Sequence, residues 1–79
     1  MKIKRIYSIN ELGRGWKFLG TDYDYGLFRI NKPKKIAMAV IRATLGEDCD
    51  KYEFAYLPRP YRGRQSKMDY IDVYCAKIY

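Results

Sequence analysis

Residues 31–46, NKPKKIAMAVIRATLG, form the clearest helical pattern in the chain, and they constrain the fold most. Asn31 is a candidate N-cap, Pro33 suits the first turn, and Gly46 stands where the helix should stop. On a period of 3.6 residues, one broad side collects Ile36, Ala37, Val40, Ile41, Thr44 and Leu45. This one-sided pattern predicts a helix over about 33–45 that packs on a sheet.

Segments that alternate between apolar and polar residues flank the helix and predict β-strands. They are residues 2–9, 16–20, 27–31, 51–58 and 69–79. In the first segment, Ile3 and Tyr7 share one face, opposite Ile6. The second is the expected hairpin partner of the first, and the acidic run TDYDYG after it is expected to turn. The fourth is expected to break at Pro58 and Pro60.

The order of these elements predicts an α+β fold: a mainly antiparallel sheet of four to five short strands with one helix packed on it. The 79 residues suffice for one hydrophobic core, so we expect residues 1–79 to form a single domain. Ile36 to Ile41 is the longest apolar run, far below the ~20 residues of a membrane-spanning helix. Charges interrupt every apolar position of MKIKRIYSIN, so no secretory signal is indicated. We expect a cytoplasmic protein, in a bacterium or an infected host cell.

Charge is concentrated in residues 58–67, PRPYRGRQSK. The chain carries a net charge of +7, and this tract contains four cations and no acid. It lies between two predicted strands, so we expect a long hairpin loop that faces water or a partner. Arginines outnumber lysines there, and a guanidinium group can grip phosphate or carboxylate with two hydrogen bonds. The tract favours an anionic partner, although a solvated cationic loop tip is the simpler alternative.

We predict a partner-binding surface made of basic residues with one tyrosine among them. It comprises Arg59, Tyr61, Arg62, Arg64 and Lys67 in the tract, extended by Lys4, Arg5, Arg14 and Lys17. Tyr70 and Tyr74 share one side of the last strand, and Tyr52 and Tyr56 share one side of its neighbour. A row of rings across the sheet could stack bases, although ordinary cross-strand packing predicts the same pattern.

The residue inventory argues against an enzyme. Histidine is absent, and with it the commonest general base and zinc ligand. Cys49 and Cys75 are predicted to be free thiols. The acidic loop at 47–53 matches no metal-binding motif, so neither a metal nor another cofactor is predicted. The run GLFRIN at 26–31 resembles the GLYRIR-like strand of small basic bacterial toxin ribonucleases. That resemblance covers six residues and implies RNA cleavage by Arg, Lys and Tyr, but the helices before the toxins' sheet are missing here.

The sequence therefore favours a non-enzymatic basic binding protein that docks on an anionic surface, most simply the backbone of DNA or RNA. The alternative is a small inhibitor or adaptor, of the type that phages and other mobile elements use, which binds an acidic face of a host protein or nucleoprotein complex. A histidine-free ribonuclease is the weaker alternative. Neither a membrane partner nor a defined oligomeric state is indicated, and a homodimer stays open.

Overall fold

A computed structural model describes residues 1–24, 33–60 and 69–78. Its elements are the strands β1 (Ile3–Arg5), β2 (Trp16–Asp24), β3 (Tyr52–Pro60) and β4 (Asp69–Lys77), the helix α1 (Pro33–Leu45), and two 3-10 helices (Ile9–Glu11 and Gly46–Lys51). The strands form one mixed sheet in the order β1-β3-β4-β2, and α1 packs on it. The predicted α+β architecture is therefore confirmed.

The helix has the predicted bounds. Gly46 follows it with φ at +55°, a left-handed conformation that a residue without a Cβ adopts most easily. The residues buried or packed against the core are Ile36, Ala37, Val40, Ile41 and Leu45, all from the predicted apolar side. Thr44 is exposed instead, and its hydroxyl donates to the Val40 carbonyl at 2.8 Å. The candidate cap Asn31 lies outside the described residues.

The main core lies between α1 and the two central strands. Ile71, Val73 and Cys75 of β4 face the helix, together with Phe54 of β3. Fully burying each large side chain contributes about 1.5–3 kcal/mol. The predicted alternation along β4 is confirmed, because Tyr74 packs with the separate cluster on the opposite side of the sheet.

The first strand is shorter than predicted and has a different partner. β1 pairs in parallel with β3, with Ile3 opposite Phe54, so the expected hairpin between the first two segments is wrong. The strand ends at Arg5, and the Ile6 N–H then donates to the Tyr56 carbonyl. Ile6 is buried on the face opposite Ile3, as the alternation predicts, whereas Tyr7 is exposed because the chain leaves the sheet after Ile6.

β2 is longer than predicted and contains a bulge. The run from Thr21 to Asp24, expected to turn, instead pairs with β4, because the long cross-strand ladder outweighs local turn preference. The register shifts between Phe18 and Gly20, and the extra residue Leu19 packs on the helix side. A Cβ at Gly20 would lie 3.2 Å from Val40 Cγ1, so glycine lets the helix approach. The predicted strand at 27–31 lies outside the described residues.

β3 continues through Pro58 to Pro60 instead of breaking there. The Phe54 N–H donates to the Lys2 carbonyl, on the side of β1. Backbone N–H directions repeat every two residues, so the Pro58 nitrogen points the same way, past the end of β1 and away from β4. The missing N–H therefore removes no hydrogen bond from the β3–β4 ladder.

Candidate functional site

The two faces of the sheet are covered to different extents. α1 covers one face, while on the other Ile6 and Leu12 of the amino-terminal segment pack on Ala55 and Leu57. Beside that segment lies a groove of about 590 Å³, hereafter the open-face groove. Its lining consists of Ser8, Ile9, Phe18, Thr21, Leu57, Arg59, Tyr70, Asp72 and Tyr74.

One wall of the groove is held by a capping box at the first 3-10 helix. The Ser8 side chain accepts a hydrogen bond from the Asn10 N–H at 3.2 Å. The Glu11 carboxylate accepts from the N–H groups of Tyr7 and Ser8. These two bonds, that from Tyr7 first, lower the pKa of Glu11 from its usual 4.5. The reciprocal bonds fix the backbone that places Ser8 and Ile9 at the groove.

An ion pair lies at the β3–β4 end of the groove. Arg59 Nε and Asp72 Oδ2 are 2.7 Å apart. The Asp72 side chain is 7% exposed, whereas that of Arg59 is 58% exposed. The carboxylate is thus buried under a guanidinium group that still faces water. A charge-assisted bond of this kind restrains the arginine in one orientation before any partner arrives.

Aromatic rings of β2 and β4 lie on the open face of the sheet, where the groove is. Phe18 and Tyr74 make an edge-to-face contact, with ring centroids 5.6 Å apart and planes at 69°. Further along, Tyr23 and Tyr70 are 5.0 Å apart at 53°. Burial, then the Asp72 charge, raises the pKa of the Tyr74 hydroxyl. The β2 bulge makes this arrangement possible, since it puts Thr21 and Tyr23 on the same face as Phe18.

The predicted basic surface is divided by the sheet. Arg59 lines the groove, and Lys4 lies on the same face, with Nζ 5.4 Å from the centroid of the Trp16 ring. Strand alternation puts Arg5 and Lys17 on the helix side. Arg14 is exposed in the turn before β2. The other predicted residues, Tyr61, Arg62, Arg64 and Lys67, lie outside the described part of the chain.

The four tyrosines do not form the row across the sheet that the sequence left open beside ordinary packing. Tyr52 and Tyr56 pack against the core on the helix side, whereas Tyr74 joins the cluster on the open face. The register explains the separation: Tyr74 lies opposite Ala55, and Tyr56 lies opposite Val73. Phe18 and Tyr23 of β2 instead contact Tyr74 and Tyr70.

The sequence prediction missed Phe18, Asp72 and Ile9 as site residues. Trp16 and Phe18 alternate with Lys17, so they share one face of the strand, and a single helix can cover only one face of a sheet. Those two facts together could have identified exposed rings on the other face. The pairing of Asp72 with Arg59 depends on the β3–β4 register and has no local signal.

Thiols and carboxylates are the candidate reactive groups among the described residues. Cys49 and Cys75 are free thiols, as predicted, and burial raises the pKa of the Cys75 thiol. Within residues 1–24, 33–60 and 69–78, no group of three or more acidic or cysteine side chains is arranged to hold a metal ion. None of the helices in these ranges has the length and apolar character needed to cross a bilayer.

Comparison with protein-family models, with curated proteins and with solved structures finds no match to this chain.

Proposed function

We propose that this protein is a non-enzymatic nucleic-acid-binding protein that docks on the phosphate backbone at the β3–β4 end of its sheet. The supporting observation is the position of Arg59, which is exposed at the groove and held by Asp72. Pro60 and Asp69, the residues joined by the rest of the cation-rich tract, lie opposite each other in the ladder. The segment 61–68, which contains the other three cations, therefore connects two residues that adjoin the Arg59–Tyr70 pair.

The charge distribution supports a phosphate partner. Residues 58–67 supply four of the seven net positive charges, and three of these four cations are arginines. Like charges that are close in sequence repel one another, and an anionic backbone relieves that repulsion. Phosphate contacts give affinity without reading sequence, so the binding is expected to be non-specific and strongly dependent on salt.

A salt titration of duplex binding tests the proposal. The logarithm of the affinity should fall with the logarithm of salt concentration, with a slope of about −0.9 for each phosphate contact. Replacing Arg59, Arg62 and Arg64 by Gln should make the slope shallower by about 2.7, the value for three lost contacts. Fluorescence anisotropy with a labelled duplex measures both quantities.

A matched control removes the same charge from the other side of the molecule. Lys34, Lys35 and Arg42 are exposed on α1, and their replacement by Gln changes the net charge equally. The control should retain most of the slope, because those cations lie on the helix that covers the opposite face. Equal losses in the two triple variants would show that only net charge matters, and an absence of binding at low salt would contradict the proposal.

A second candidate is an inhibitor or adaptor that binds an acidic protein surface. Ile9 and Phe18 are 56% and 58% exposed at the groove that Arg59 lines. Exposed apolar and aromatic groups beside arginine are typical of protein interfaces. The test is to capture partner proteins from host lysate before and after nuclease treatment. A protein that stays bound after nuclease treatment, and does not bind the Phe18→Ala variant, would favour this candidate.

The non-enzymatic part of the proposal has its own test. The protein should leave RNA intact during long incubation, since we assign Tyr61 and Arg62 to binding. Cleavage that disappears in Tyr61→Phe and Arg62→Ala would contradict this and favour the ribonuclease alternative.

A further inference from the structure

We propose that the open-face groove binds unpaired bases, so that the preferred ligand is single-stranded nucleic acid. This inference rests on the proposed function, because it names the form of nucleic acid that the same end of the sheet would bind. The phosphate contact in the groove comes from Arg59, and the base contacts come from the rings of β2 and β4.

The ring geometry supplies a stacking surface. Phe18 is more than half exposed although it is paired with Tyr74 within the β2–β4 ladder. In an edge-to-face pair, each ring leaves at least one face that its partner does not cover. A nucleobase can stack on such a face, and every base offers a flat surface for it. An exposed apolar ring held by a strand on one side and a neighbouring ring on the other needs little ordering when a base arrives.

The groove has the dimensions and polarity of a nucleotide site. Its volume of about 590 Å³ falls within the range of roughly 300–1,000 Å³ that is common for small-ligand sites. Leu57 and Tyr74 supply apolar surface, and Arg59 supplies a cation at the end of the groove. One nucleotide could therefore stack its base on the Phe18 ring and bind its phosphate to Arg59.

A second ring pair, Tyr23 and Tyr70, lies further along the same face of the sheet. Tyr70 precedes Tyr74 by four residues on the same face of β4, so the two ring pairs are separated by roughly 13 Å along the strand. Tyr23 packs on Tyr70 there, 5.0 Å away between centroids. A chain of several nucleotides is needed to reach both pairs, and we expect a mononucleotide to bind much more weakly.

The exposed rings distinguish single strands from duplexes. In a duplex the bases stack on one another and pair internally, so their faces are not available to a protein ring. A duplex can use only the cationic contacts. The single strand gains the stacking contacts in addition, and its affinity should be higher at equal salt.

Anisotropy titrations of the purified chain test this inference. The probes are a labelled strand of about 16 nucleotides, long enough for typical single-strand sites, as DNA, as RNA, and annealed to its complement. Phe18→Leu keeps an apolar side chain but removes the ring, and it should weaken single-strand binding by about 5- to 150-fold. Phe18→Tyr keeps the ring and should bind nearly as the parent does. Neither change should alter duplex binding.

Tyr7→Leu is the control for an exposed ring elsewhere. Tyr7 is 77% exposed and does not line the groove, so its loss should leave single-strand binding unchanged. Circular dichroism of each variant shows whether it is folded, and Phe18→Tyr provides a second test if Phe18→Leu is destabilised.

The outcomes separate this inference from the function on which it rests. Equal binding of strand and duplex, with no effect of Phe18→Leu, overturns the inference and leaves cationic docking intact. Binding of DNA and RNA strands with a shared loss in Phe18→Leu supports it. Absence of binding to all three probes overturns both proposals.

Discussion

The ion pair between Arg59 and Asp72 predicts that its two members differ in their effect on stability. Arg59→Met keeps most of the aliphatic stem but removes the charge, leaving a carboxylate that is 7% exposed without its partner. Asp72→Asn removes the buried charge, and the remaining guanidinium group already faces water. Breaking the pair from the arginine side should therefore destabilise the protein more.

The magnitude follows from the burial of each partner. Breaking a fully buried pair costs about 3–5 kcal/mol, and exposed pairs contribute about 0–1 kcal/mol. Here one partner is buried and the other is more than half exposed, so we expect about 2 kcal/mol for Arg59→Met, between those limits. For Asp72→Asn we expect about 1 kcal/mol or less, since the amide oxygen still accepts a hydrogen bond.

Urea denaturation followed by circular dichroism measures these differences. With a slope near 1 kcal/mol per molar, the lower end for small domains, Arg59→Met should lower the midpoint by about 2 M. Arg42→Met removes an equal charge from the exposed side of α1 and should change stability by less than about 0.5 kcal/mol. Equal losses in Arg59→Met and Asp72→Asn, or a larger loss in Asp72→Asn, would refute the reasoning.

Three further predictions concern the core, the helix cap at Ser8 and the half-buried Tyr74 side chain. Ile41→Ala, at a fully buried helix position, should lower the unfolding free energy by about 2–5 kcal/mol in urea titrations; a loss below 1 kcal/mol would contradict the packing. Ser8→Ala should cost about 1 kcal/mol and speed amide exchange at Asn10, whereas unchanged exchange would argue against the cap. Folded Tyr74 keeps its proton above the ordinary pKa of 10.0, so stability should fall as pH rises beyond about 10. Tyr74→Phe should reduce that fall in thermal melts, and an identical pH profile would count against it.

The elements with strong local signals were predictable from the sequence. Pro33 and Gly46 mark the ends of α1, and the apolar side of the helix becomes its buried side. The predicted alternation of side chains along β4 is also present in the structure, because one face of the strand packs on the helix and the other does not. These features depend on residues that are close in sequence, so local physical rules suffice for them.

The pairing of the strands was not predictable in the same way. The parallel contact of β1 with β3 joins residues about fifty positions apart in the chain, and nothing local specifies it. The run from Thr21 to Asp24 has the composition of a turn, yet its pairing with β4 keeps it extended. The bulge at Leu19 is likewise fixed by contacts with the helix and β4.

The candidate site likewise contains one residue that local sequence predicts and others that depend on strand pairing. Arg59 was predicted from charge density alone, since a cationic tract is visible in the sequence. Phe18 and Asp72 join it only through the order of the strands and the register between them. These two groove residues thus depend on information that becomes available only with the fold.

Pro58 has a further consequence for how this protein behaves at high concentration. Beyond the end of β1, the rim of β3 has no neighbouring strand in the described part of the chain, and an uncovered rim invites another polypeptide to add to the sheet. Pro58 lacks the backbone N–H that an incoming strand would need as a hydrogen-bond donor. Pro60, two residues later in β3, lacks it as well. The residues that lead into the basic tract therefore also protect the molecule against self-association, and exchanging them for threonine would create a template for fibrils.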